Sequence, residues 1–222
     1  MLTLAFDTCM GRCSVAVGDV GRCFASRSDT MPRGQAEVLM PMIADVLAEA
    51  QLDISDIKRI GVTVGPGSFT GVRIGVAAAK ALALVHDLPI VALTTLEAVA
   101  LQADVNECII AQNARRSEVY VQHFAKQKAM NEPQLMSLEE ARQMAIQSAL
   151  PIGGTAAALI CEDAQLLLQS DAEVQPESLL RLCEDGRPAL RHDQLQPLYL
   201  RPPDAKLPKL SPIAALRQKL VS

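Results

Sequence analysis

Tryptophan is absent from this chain, and only 3% of its 222 residues are aromatic. That argues against a module that stacks nucleic-acid bases, or a carbohydrate, on rings. Histidine is scarce too: His86, His123 and His192 lie far apart, and none of Cys9, Cys13, Cys23, Cys108, Cys161 and Cys183 forms a Cys-x-x-Cys pair. No metal-ligand spacing follows, and the cysteines read as reduced thiols of a cytoplasmic protein. No apolar leader with a cleavage site precedes the first strand-like run. The most apolar segment, Val72 to Val85, contains Arg73 and Lys80, so no membrane span is read. Excess positive charge is also missing. Lys plus Arg number 21 against 25 Asp plus Glu, a net charge of −4 and the wrong sign for unaided binding to a polyanion. The last 22 residues alone are basic, with Arg201, Lys206, Lys209, Arg217 and Lys219 against Asp204, and read first as a solvated Pro-rich tail.

Half the residues are apolar, enough for a substantial aliphatic core. Leu2 to Asp7, Cys13 to Val17 and Arg22 to Arg27, with a turn at Gly18 to Gly21, predict three consecutive antiparallel strands. From Gln35 to Ala50, apolar residues recur at steps of three and four. This predicts a helix that kinks at Pro41 or starts later than the periodicity suggests. A strand at Arg59 to Val64, a turn at Gly65 to Gly71, a helix at Val72 to Val85, a strand at Ile90 to Leu93 and a helix at Thr95 to Ala103 follow. A second set has strands at Cys108 to Gln112 and Glu118 to Phe124. Helices are expected at Ser137 to Ala149, near Glu162 to Leu168 and at Pro176 to Glu184, with an extended tail from Gln196. Hairpins followed by strand–helix alternation predict an α/β fold with mixed sheets flanked by helices. The break near Asp104 divides it into a first lobe, 1–103, and a second, 104–195, with the tail 196–222 returning to the first.

The turn Gly65-Pro66-Gly67-Ser68-Phe69-Thr70-Gly71 joins a strand to a helix, where an anion could be received. It lacks the Gly-Lys-Ser/Thr ending of a P-loop, and Thr70 replaces the third glycine of Gly-x-Gly-x-x-Gly. The plainer reading has Gly65 and Gly67 adopting backbone angles closed to other residues and Ser68 or Thr70 capping the helix. The following helix is apolar nearly all round, so one side packs on a sheet and another is covered by helix 35–50 or by a partner. The reading taken is a partner, with Leu39, Ile43, Val46, Leu47, Val72, Val76, Ala78, Ala79 and Leu82 as interface residues. No Gly-x-Ser-x-Gly elbow is present to support a hydrolase triad.

Leu4-Ala5-Phe6-Asp7-Thr8, Cys13 to Val17, Gly65 to Gly75, Ala114 to Tyr120 and the tail Pro197-Leu198-Tyr199-Leu200-Arg201-Pro202 together resemble the TsaB (YeaZ-like) family, which serves in making threonylcarbamoyladenosine in tRNA. The resemblance implies an actin-like, sugar-kinase-like fold of two related lobes and a catalytic paralogue, TsaD, that carries a His-x-x-x-His metal motif. Thr95 and Val99 stand where those histidines would be. It therefore implies a catalytically silent subunit with no metal of its own, paired with a TsaD-like protein and joined by a TsaE-like ATPase. Alone, it would be a homodimer; tRNA would be met only indirectly. Asp7-Thr8-Cys9 lacks the glycine of the fold's nucleotide-binding hairpin, so no cofactor is assigned. The rival is an ATP- or ADP-binding kinase or ATPase using a cleft near Asp7, Gly67, Asn113 and Arg115. Gln35, Asn113 and Ser117 depart from the family's usual His, Asp and Gly.

Overall fold

The computed structural model describes residues 1–19, 21–114, 116–168, 172–184 and 186–201. The first three strands, β1 (Thr3–Asp7), β2 (Arg12–Asp19) and β3 (Arg22–Thr30), form the expected antiparallel meander. Beyond helix α1 (Gln35–Glu49), strand β4 (Arg59–Thr63) pairs parallel with β1. After α2 (Phe69–His86), β5 (Ile90–Leu93) pairs parallel with β4, giving the order β3-β2-β1-β4-β5. Pro41 stands inside α1, which nevertheless starts at Gln35; its ring is on the exposed side, where the missing N–H strains no packing.

A short helix α3 (Thr95–Ala100) leads to the second sheet. There β6 (Glu107–Asn113) pairs antiparallel with β7 (Glu118–Ala125). Strands β8 (Lys128–Ala129) and β9 (Gln134–Ser137), neither expected from sequence, pair with β7. Helix α4 (Leu138–Ser148) follows, capped reciprocally by Ser137 and Glu140. Strand β10 (Ile152–Gly153) pairs parallel with β6, and α5 (Ala157–Ile160) closes this part. The helix expected at Glu162 to Leu168 is absent. A 3-10 turn spans Ala164–Leu166, started by Asp163 accepting from the Gln165 N–H, after which the Leu168 N–H donates to the Ile152 carbonyl.

Period-two alternation makes five layers from these elements. Leu4 and Phe6 of β1 face α1 and α2, while Ala5 faces inward. On β6, Cys108 and Ile110 face the same interior, and Ile109 and Ala111 face α4 and α5. Between the sheets lie α3 and α6 (Pro176–Glu184). Helix α6 was assigned by sequence order to the second lobe, yet it packs against all five strands of the first sheet. The small side chains of Ala5 and Ala16 on that face leave room for it, a feature that chain order does not reveal. Leu190 then bridges Ile90, and Leu195 is buried among α1, α2 and the first sheet, while residues 202–222 of the tail expected to return there lie outside the described residues.

By length and composition alone, α2 could cross a bilayer. In the fold it lies on the first sheet, burying Gly71, Val72, Gly75, Val76, Ala79 and Ala83.

Candidate functional site

Ser68, of the two candidates, caps α2, its Oγ accepting the Gly71 N–H at 3.0 Å. Other groups of the glycine turn are engaged by the protein itself. The Ser68 N–H donates to the Cys9 carbonyl at 2.8 Å, and the Thr8 hydroxyl to the Gly71 carbonyl at 2.7 Å. The Thr95 hydroxyl donates to the Pro66 carbonyl at 2.7 Å, and its N–H to the Gly65 carbonyl at 3.0 Å. Tyr120 of β7 reaches the Gly67 carbonyl at 3.5 Å. A Cβ on Gly67 would stand 2.5 Å from the Cys9 carbonyl oxygen, and one on Gly71 would stand 2.0 Å from that of Thr8. These glycines therefore permit the first hairpin and the helix entry to close on each other. Donors that would greet a phosphate at Ser68 and Gly71 are already bonded.

Asp7 is almost wholly buried at the end of β1. Its Oδ1 accepts from the Thr63 hydroxyl at 2.5 Å and the Cys9 N–H at 3.1 Å, and its Oδ2 has no partner among the described residues. Burial raises its pKa above the ordinary carboxylate value, although both hydrogen bonds pull the other way. The Cys9 thiol, 3.2 Å from the Thr63 hydroxyl, is pushed well up by the same burial. This is the chemistry of a carboxyl that holds its proton to higher pH than usual and of an unreactive thiol. Asn113, exposed at the end of β6, is engaged through its N–H with the Thr155 hydroxyl rather than with Asp7, and Arg115 lies outside the described residues. Val99 fills the core between the sheets.

Most of the expected interface residues face inward. Leu39, Ile43, Val46, Leu47, Val72, Val76 and Ala79 are buried in the chain's own core because each helix turns its most apolar stripe to the sheet. Ala78 and Leu82 are partly buried against the same core. Outward-facing residues of α2 include Phe69, Thr70, Arg73, Ala77, Ala81, Leu84 and Val85, the last two 62% and 75% exposed. On the neighbouring α1 they include Ala36, Met40, Ala44 and Ala48. Sequence periodicity did not find them, since it identifies the stripe that packs first, not the apolar residues left over.

A mixed sheet of antiparallel meander and parallel crossovers, layered with a second such sheet, defines an actin-like α/β protein. The sequence model for TsaD, described as tRNA N6-adenosine threonylcarbamoyltransferase, matches residues 30–158. The tRNA threonylcarbamoyladenosine biosynthesis protein TsaB of Escherichia coli (strain K12) is 30% identical over 90% of this chain and 95% of its own length. The tRNA N6-adenosine threonylcarbamoyltransferase of Novosphingobium aromaticivorans is 48% identical over only 31% of this chain and 20% of its own. Among solved structures, YeaZ from Pseudomonas aeruginosa superposes with a TM-score of 0.75 at 26% identity, covering 90% of this chain and 99% of that one. The chain belongs to the TsaB family.

Proposed function

We propose that this chain is a non-catalytic accessory subunit in placing a threonylcarbamoyl group on adenosine of tRNA, acting by pairing with a TsaD-like catalytic paralogue. The observation that carries the reading is the outward face of α2. Ala77, Ala81, Leu84 and Val85 form an exposed apolar strip along α2, and Met40 is an exposed apolar residue of the neighbouring α1. Small alanines let another helix approach closely, and the glycine turn that launches α2 is locked by Cys9, Thr8 and Thr95. The hydroxyl of Thr95, at the first of the two positions where the paralogue's histidines would stand, is committed to the Pro66 carbonyl. Val99, at the second, is a core side chain.

In this reading the same strip pairs two copies when the chain is alone, and the homodimer exchanges for the heterodimer. A TsaE-like ATPase joins the pair, and tRNA is met through the paralogue. Mixing the purified chain with its TsaD-like partner on a sizing column with light scattering should give a new 1:1 species. Two species that remain separate at micromolar concentration would count against the proposal.

A further inference from the structure

Residues 197–201 pass from the first lobe to the second with an anchor on each. On the first, the Leu198 N–H donates to the Val64 carbonyl at 2.8 Å. The Tyr199 ring lies 5.1 Å from that of Phe69, at the entry of α2. The Arg73 guanidinium stands 3.8 Å from the Phe69 centroid, and its Nε donates to the Tyr199 hydroxyl at 3.0 Å, so one cation holds both rings. On the second lobe, Arg201 pairs with Glu118, the first residue of β7, the two side chains being 20% and 35% exposed.

Tyr199 and Arg201 are two residues apart. An extended chain covers at most about 3.5 Å per residue, so no more than roughly 7 Å of backbone joins the anchors and a shift of one is passed to the other. We infer that residues 197–201 act as a strap coupling the entry of α2 to the start of β7, so that the two loosen together. Phe69 and Arg73 are also the first steps of the outward strip that continues through Ala77 and Ala81 at intervals of four. A partner seated on that strip is thereby linked to the second lobe. This last consequence rests on the function proposed above; the strap itself does not.

Hydrogen–deuterium exchange of the full chain tests the coupling through two substitutions, one at each anchor. Tyr199→Ala should speed exchange of the Glu118 to Tyr120 amides, and Glu118→Gln that of the Gly65 to Thr70 amides, each roughly fivefold, as loss of a stack or shielded pair allows. Exchange within α4 should not change. Loosening confined to the substituted end would overturn the coupling. An equal rise in α4 would also overturn it, since the effect would then be general destabilisation. Both readouts need only the isolated chain, so they stand whatever the sizing experiment returns.

Discussion

The carbonyl of Cys9 accepts the Ser68 N–H at 2.8 Å, fastening the turn after β1 to the cap of α2. Where a nucleotide-binding relative of this architecture would keep backbone amides open for phosphate, this chain spends one on its own backbone.

That fastening depends on the absence of side chains at the contact. Gly71→Ala would bring a Cβ within 2.0 Å of the Thr8 carbonyl oxygen, a backbone atom that cannot swing aside. The expected cost is about 3 kcal/mol, read from urea unfolding. Gly11→Ala is the reference: its φ of 71° strains an alanine, but nothing lies within 4 Å, so about 1 kcal/mol is expected. Equal costs at the two sites would show that the approach at Gly71 is not tight.

Asp7 makes stability depend on pH. Its folded-state pKa is raised by burial, so the folded chain keeps a proton that the unfolded chain has already lost. Stability from this group is fully present below the unfolded carboxylate value and is lost as pH rises through the raised folded value. Asp7→Asn cannot ionise. Its melting temperature relative to wild type should therefore increase as pH rises above the ordinary carboxylate value. A pH-independent difference between the two proteins would contradict a raised Asp7 pKa.

Ala81→Arg places a charge in the middle of the outward strip of α2 without touching the core. Unfolding should shift by no more than about 0.5 kcal/mol, as at other exposed helix positions. Association with a TsaD-like partner, or with a second copy, should weaken at least roughly tenfold, because an unpaired cation would be buried. Undiminished association in analytical ultracentrifugation would place the interface elsewhere.

The meander, α1, α2 and the core strands of both sheets were legible because each element repeats at its own period. Glycine chemistry marked the turn at Gly65 to Gly71. Strands β8 and β9 were not visible, since two to four residues are too few to establish alternation. Of the residues read as an interface, Leu39 and Val76 carry the strongest periodic signal because the sheet claims them, so periodicity marked the chain's own core. The end of β1 at Asp7 was legible, but its partner Thr63 lies 56 residues away and joins it only through the β1–β4 pairing. The tail motif around Tyr199 was readable as a pattern, whereas its targets Phe69, Arg73 and Glu118 required the fold.

The placement of α6 has a bearing on synthesis. The inner face of the first sheet, with Ala5, Ala16, Val91 and Leu93, is sealed by residues 176–184, which leave the ribosome long after the five strands they cover. A nascent chain that has completed β5 must therefore hold an open apolar sheet until most of the remaining sequence has emerged. A fragment ending near residue 103 lacks α6 and leaves that face of the first sheet open, so it should unfold with less cooperativity than the full chain.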